Sequence, residues 1–252
     1  MIALILAAGY ATRLYPLTRD TPKPLLPVQG NQTILDLLIG RLEVLEDITE
    51  ILIVTNDRFF HAFGQWHQQY RGSKPIRILN DGTSSPEGRL GAIGDIQYVL
   101  EREQLQDDLL VLAGDNVLGF GLEGYLNYFH KIDRDCILVR TVDNIEELRS
   151  VGVAELDAEM RVLSLEEKPQ EPRSNIGVFA LYIYKQTTLP LISRYLAEGG
   201  NPDAPSYFPE WLHSRQEMRA YYTEGTIDDV GTPKAYAEMR ARLSAGDDKA
   251  SY

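Results

Sequence analysis

Strand and helix signals alternate through the first eighty residues, and this alternation most constrains the fold. The first nine residues are apolar and predict a buried first strand. Asn31-Gln32-Thr33, placed before Ile34-Leu35-Asp36-Leu37-Leu38-Ile39, marks the start of a helix that runs to about Leu45. Ile51-Leu52-Ile53-Val54-Thr55 is a short β-branched run and predicts a second buried strand. A helix is expected over Arg58 to Tyr70 and a third strand over Ile76-Arg77-Ile78-Leu79. Strands joined through helices run parallel, and a parallel sheet needs helices on both faces. The chain is therefore expected to be α/β, with a mostly parallel central sheet in a three-layer arrangement.

The later residues extend and then break this pattern. Ala92 to Arg102 predicts a helix, and Leu109-Leu110-Val111-Leu112-Ala113 a buried strand ending at Gly114-Asp115. Cys136 to Thr141 is a further strand. Val151 to Leu156 and Arg161 to Pro169 then form two short strands about a turn at Asp157-Ala158-Glu159, a hairpin that departs from strand-helix alternation. A strand over Gly177 to Tyr184 follows, then helices over Gln186 to Ala197 and Asp203 to Ser214. A strand at Arg219-Ala220-Tyr221-Tyr222 precedes a helix from Pro233 to about Leu243. The expected layout is one domain over residues 1–243, with halves 1–135 and 136–243, and a frayed tail over 244–252.

The chain has 252 residues, 44% of them apolar, enough for a large core. Its 25 basic and 37 acidic side chains give a formal charge of −12, which disfavours nucleic acids and anionic membranes as partners. An anionic substrate must then be held by a local basic site. The lone cysteine, Cys136, sits in an apolar run and excludes an internal disulfide and a cysteine-cluster metal site. The opening apolar stretch is too short to span a membrane, so the protein is expected to be cytoplasmic. Homo-oligomerisation stays open.

Leu6-Ala7-Ala8-Gly9, Thr12 and Arg13, followed by Pro22-Lys23-Pro24, place a small-residue turn beside two cations. Small residues let backbone N–H groups approach an oxyanion, and Arg13 and Lys23 add positive charge. Neither standard phosphate-loop spacing nor a dinucleotide fingerprint is present. Taken alone, the turn with its nearby arginine equally suits a plain strand end with surface cations. Asp115 ends a strand where ligands of parallel sheets bind, though Gly-Asp is also an ordinary turn. Glu166-Glu167-Lys168-Pro169 is, by itself, a solvated charge cluster, and Asp228-Asp229 before Gly231 a capped turn.

Together and in this order, these segments resemble the sugar-phosphate nucleotidyltransferases, or nucleotide-sugar pyrophosphorylases, over roughly Met1 to Leu243. The motifs are most similar to those of glucose-1-phosphate thymidylyltransferase-like enzymes. The resemblance implies a Rossmann-like nucleotidyltransferase fold and condensation of a nucleoside triphosphate with a sugar-1-phosphate, with a lean to glucose-1-phosphate and dTTP or UTP. It implies that Leu6, Ala7, Ala8, Gly9, Thr12, Arg13 and Gly88 bind the nucleotide. Gly152, Glu167 and Lys168 would bind the sugar phosphate, and Asp115 and Asp229 a magnesium ion. Arg13, Lys23 and Asp115 would be catalytic.

Several positions depart from the family pattern. Ala11 stands where glycine is usual, Arg89-Leu90 replace the middle of the small-residue loop before Gly91, Val151 stands for tyrosine and Ile227 for tryptophan. No glutamine precedes the Gly88 loop; Asn80 is the nearest amide. No hexapeptide repeat follows, so an appended acyltransferase domain is not expected. Two rival readings are a metal-dependent glycosyltransferase of related fold and a non-catalytic nucleotide-sugar-binding regulator. The first lacks its D-x-D motif, since Asp115-Asn116-Val117 has no second aspartate. The second would have lost Arg13, Lys23 or an aspartate, all of which are present.

Overall fold

A computed structural model describes residues 1–245. Its elements in chain order are β1 (Ile2–Leu6), β2 (Pro27–Gln29), β3 (Gln32–Thr33), α1 (Ile34–Glu43), β4 (Glu50–Thr55), α2 (Asp57–Gln69), β5 (Ile76–Asn80) and α3 (Ala92–Glu103). Then come β6 (Leu109–Ala113), β7 (Asn116–Leu118), α4 (Glu123–Ile132), β8 (Asp135–Thr141), α5 (Ile145–Leu148), β9 (Gly152–Leu156), β10 (Val162–Glu167) and β11 (Ile176–Tyr184). Finally come α6 (Pro190–Ala197), α7 (Tyr207–Leu212), β12 (Met218–Tyr222), β13 (Ile227–Asp229) and α8 (Pro233–Ala245). The α/β class and the large, mostly parallel sheet match expectation. No helix among the described residues is long and apolar enough to cross a membrane. Of the tail expected over 244–252, residues 244 and 245 are helical, since α8 runs through Ala245 and not to about Leu243; the rest lies outside the described residues.

The chain divides into two compact units. The first comprises Met1–Arg89, Leu112–Glu123 and the residues from Gly225 onward. In it β1 runs parallel to β4 and β4 to β5, so β4 lies between the other two. Buried Ile51 to Val54 of β4 show why a continuous apolar run suits a strand covered on both faces. Helix α1 starts because Thr33 Oγ1 accepts from Asp36 N–H at 3.2 Å while Asp36 accepts from Thr33 N–H at 2.7 Å, a reciprocal capping box. Ile34, Leu35, Leu38, Ile39 and Leu42 give it one buried face.

Two short ladders in this unit lay outside the sequence reading: β2 with β3, and β13 with β7. The second sets Asp229 opposite Asn116 and Asp228 opposite Val117. Behind it, Leu14, Leu26, Val28, Ile34, Val117, Val230, Tyr236 and Met239 form one apolar cluster that fastens β7, β13 and α8 to the opening segment. Gly114 is favoured by close approach. A Cβ there would lie 3.0 Å from both Ile5 and the Leu6 carbonyl, to which Gly114 N–H donates at 2.9 Å.

The second unit comprises Leu90–Val111 and Gly124–Glu224. The expected hairpin is present: β9 and β10 pair antiparallel, with Glu167 opposite Gly152 and Leu165 opposite Ala154. Asp157 shapes the turn, accepting from Glu159 N–H and Arg161 N–H, each at 2.9 Å. Strand β11 pairs with β9 and β8, and β12 runs parallel to β8. Cys136 is fully buried on β8, as expected, and burial raises its thiol pKa. Two helices are shorter than expected. A 3-10 turn at Gln186–Thr188 precedes α6, which starts at Pro190, the residue suited to a first helical turn. Helix α7 covers only Tyr207–Leu212 of the expected 203–214. Helix α4 had no counterpart in the sequence reading.

Candidate functional site

In the first unit the candidate site grows from the carboxyl end of β1. The turn after Leu6 is held by the end of β4: Ala7 N–H donates to Val54 O at 2.9 Å, and Thr55 Oγ1 donates to Ala7 O at 3.2 Å. Asn56 Nδ2 donates to Ala8 O at 2.8 Å. Ala7 and Ala8 are buried, whereas Gly9, Thr12 and Arg13 are exposed. Ala11 adopts φ 45° and ψ 42°, the left-handed conformation that glycine takes without strain. Its carbonyl accepts from buried Thr18 Oγ1 at 2.7 Å, which pins the turn from below. Thr12 and Arg13 then open a 3-10 turn.

The Arg13 guanidinium makes no side-chain hydrogen bond or ion pair with the described residues. One of its nitrogens lies 3.9 Å from where a Gly231 Cβ would stand, and Asp229 lies 3.5 Å from the same point. Gly88 is exposed at the end of another 3-10 turn, donating its N–H to Ser85 O at 3.2 Å.

Lys23 is the buried cation of this site. Its ammonium donates to Asp115 Oδ2 at 2.6 Å and to Asp229 Oδ1 at 3.0 Å. The Lys23 side chain is only 8% exposed, against 33% for Asp115 and 60% for Asp229, so the cation sits under two carboxylates that face solvent. Burial alone would lower the Lys23 pKa, but the charges and hydrogen bonds of Asp115 and Asp229 overcome it and hold the ammonium above its ordinary value.

Two carboxylates that reach one cation suit a small hard ion such as magnesium, which takes one or two carboxylates and completes its shell with water and phosphate oxygens. No group of three or more His, Cys, Asp or Glu suited to a metal occurs among the described residues. The donor set thus calls for an ion shared with a ligand, not a closed structural metal centre.

In the second unit the strand pair β9–β10 places Gly152 beside Glu167. A Cβ at Gly152 would lie 3.5 Å from Glu167 Oε2 and 3.4 Å from Ser206 Cβ. The Glu167 side chain is 4% exposed, accepts a hydrogen bond from Ser206 Oγ, and lies 3.2 Å from the Lys168 ammonium. Its backbone N–H donates to Glu210 at 3.2 Å. Burial, together with the nearby Glu166 and Glu167 charges, raises the Glu210 pKa, and the hydrogen bond from Glu167 N–H partly opposes this. Lys168 is exposed and left-handed at φ 48°, with its N–H bound to Val151 O at 3.1 Å. Ser206, Glu210, Thr18 and Asn56 were not singled out from the sequence. Asn56 alone carried a signal, as an amide between a strand and a helix, where it caps α2 by accepting from Phe59 N–H at 3.1 Å.

Comparison with known proteins matches this architecture to one family. The family profile described as "Nucleotidyl transferase" matches residues 2–246. A protein of Sulfolobus acidocaldarius, provisionally named a mannose-1-phosphate guanyltransferase, is 28% identical over 244 residues, covering 96% of this chain and 62% of that protein. Glucose-1-phosphate adenylyltransferase of Geobacillus stearothermophilus is 27% identical over 259 residues, covering 96% of this chain and 65% of its own length. The chain thus spans less than two thirds of these curated relatives. Among solved structures, UDP-glucose pyrophosphorylase complexed with UDP-glucose superposes with a TM-score of 0.82 at 17% identity, covering 97% of this chain and 98% of that one, a likeness of fold. On the match over residues 2–246, the chain belongs to the nucleotidyl transferase family.

Proposed function

We propose that this chain condenses a nucleoside triphosphate with a sugar-1-phosphate, giving a nucleoside diphosphate sugar and pyrophosphate. The observation that carries the reading is the convergence of Asp115 and Asp229 on one cation, Lys23, from positions 92 and 206 residues further along the chain. In this reading a phosphate oxygen of the sugar-1-phosphate attacks the α-phosphorus. The bond from that phosphorus to the bridging oxygen breaks, and pyrophosphate leaves with the electron pair. The attacking oxygen is already ionised, so no general base is needed. Such chemistry rests on positioning and on neutralising charge.

The chain's residues divide that work. The turn from Leu6 to Gly9, Thr12 and Gly88 seat the nucleotide. Arg13, free of partners among the described residues, meets the charge that builds on the phosphorus and the leaving pyrophosphate. Lys23 draws the triphosphate, and Lys168 the sugar phosphate, with Glu167 and Gly152 at the sugar. Asp115 and Asp229 would hold magnesium, which supplies neutralisation of the phosphate oxygens when bound.

For substrates we propose glucose-1-phosphate with dTTP or UTP as the first pair. The names of the relatives span guanylyl and adenylyl transfer as well as UDP-glucose. The test is therefore pyrophosphate release across dTTP, UTP, CTP, GTP and ATP against several hexose-1-phosphates, with and without magnesium. One magnesium-dependent active pair establishes the reaction and its substrates. A blank grid with folded, nucleotide-binding protein overturns the reading.

A further inference from the structure

A cavity of about 490 Å³ lies in the first unit, and neither Lys23, Asp115 nor Asp229 lines it. Its size falls in the range of small-molecule sites. Trp66 and Tyr70 of the α2 end form an aromatic wall, with ring centroids 5.7 Å apart. The indole is fixed, because Trp66 Nε1 donates to Asp36 Oδ1 at 2.8 Å, and Asp36 is itself held by the Thr33 cap. The tryptophan thus presents a ring of set orientation, at little further cost in side-chain entropy on binding.

The polar lining has a definite character. Asp20, Asn31 and Gln69 line the cavity and spend no side-chain hydrogen bond on the rest of the described chain. No Lys, Arg or His contributes to the wall, and Asp20 and Asp36 give it negative charge. A phosphate or carboxylate ligand would be repelled by the Asp20 and Asp36 charges there. A neutral ring with C–H faces and hydroxyl edges suits it: the faces pack on aromatic rings, and the hydroxyls pair with amides and carboxylates.

We propose that this cavity is a second ligand site, for an unphosphorylated sugar. Its position gives it a route to the carboxylate pair. Thr21 and Pro22 line the cavity, and the next residue is Lys23, whose ammonium holds Asp115 and Asp229. Pro22 is buried and caps the 3-10 turn that carries Lys23. A sugar packed on this wall bears on the turn that places the cation.

The test is direct binding, which needs no turnover and so stands apart from the proposed reaction. The chain has two tryptophans, so Trp211→Phe leaves Trp66 as the sole tryptophan, read by exciting beyond tyrosine absorption. This variant and the parent are titrated with D-glucose, D-mannose, L-rhamnose, D-xylose and glucose-6-phosphate, following emission and heat. The expected result is a saturable emission change with at least one neutral sugar and none with glucose-6-phosphate. Gln69→Ala should weaken it about tenfold, the worth of one hydrogen bond, and Trp66→Ala should abolish the heat of binding. Glu167→Gln should leave it unchanged. The absence of saturation with every neutral sugar in the parent overturns the proposal. So does glucose-6-phosphate binding as tightly as glucose, or loss of the signal in Glu167→Gln.

Discussion

Lys23 and Asp229 lie 206 positions apart in the chain, and the Lys23 ammonium stands 3.0 Å from the Asp229 carboxylate. With Asp115 on its other side at 2.6 Å, the ammonium stitches the opening segment to the turn before β7 and to β13. Its pKa in the fold exceeds the ordinary lysine value of 10.5. A raised lysine pKa contributes stability that is complete below the unfolded value and is lost as pH rises through the folded one. Lys23→Met should therefore destabilise the protein at neutral pH by about 1–3 kcal/mol, a figure kept low by the exposure of both carboxylates. The difference in urea midpoint between parent and variant should hold from pH 6 to 9 and shrink only above about 10.5. A difference that vanished by pH 8 would show that the ammonium is not what joins these segments.

The same two carboxylates would hold magnesium, so ammonium and metal compete for them. Magnesium alone should raise the melting temperature of Lys23→Met more than that of the parent, since the variant leaves both carboxylates unpaired. Magnesium with a nucleoside triphosphate should stabilise the parent but not an Asp115→Asn, Asp229→Asn double variant. Differential scanning fluorimetry reads both comparisons without any turnover. Equal metal response in parent and double variant would remove these aspartates as ligands.

The parts of this arrangement differ in how legible they were from the residues alone. The strands β1, β4 and β6 were readable because a strand buried on both faces is a bare apolar run, and α1 because Thr33 announces its cap. Asp115 was legible as the end of such a run. The ladder of β7 with β13 was not, since each strand has three residues and their pairing is set by the apolar cluster around Val117 and Val230. Helix α4 is masked by the stronger apolar runs of β6 and β8 on either side, although Tyr125, Leu126 and Phe129 give it a buried face at helical spacing. Ser206 carried no local signal, because its bond to Glu167 joins positions 39 residues apart. Long-range hydrogen bonds of this kind leave no periodicity in the chain.

Ala11 invites a stabilising change. It holds a left-handed conformation that costs an alanine about 1–2 kcal/mol. Glycine relieves that strain but adds about 0.4–1 kcal/mol of unfolded-state entropy. Ala11→Gly should thus gain roughly 0.5–1 kcal/mol in urea unfolding. Ala11→Val should lose about 1–3 kcal/mol, since a β-branched residue tolerates this region worst. A destabilised glycine variant would mean that the Thr18 bond, and not the conformation, governs the turn.

In the proposed reaction Arg13 would separate catalysis from stability. Its side chain is exposed and bonds to none of the described residues, so Arg13→Ala should leave the melting temperature unchanged. Loss of one transition-state contact of this kind costs on the order of 10²–10³ in turnover. Steady-state pyrophosphate release should show that loss in kcat, with KM for the nucleotide moving far less. Unchanged turnover would take Arg13 out of the mechanism.

In the proposed reaction Ser206 would position Glu167 and would not touch the reacting phosphates. Its hydroxyl donates to a carboxylate that is 4% exposed. Removing the donor frees Glu167 to rotate and leaves a buried anion one partner short, worth about 1.5–3 kcal/mol for a bond to a charged group. Ser206→Ala should raise KM for the sugar-1-phosphate about tenfold or more, while KM for the nucleoside triphosphate stays put. Ser206→Thr, which keeps the hydroxyl, should restore most of the loss. If alanine shifts both KM values alike, or threonine rescues nothing, the serine serves packing beside Gly152 and Val178 and has no role in holding the carboxylate.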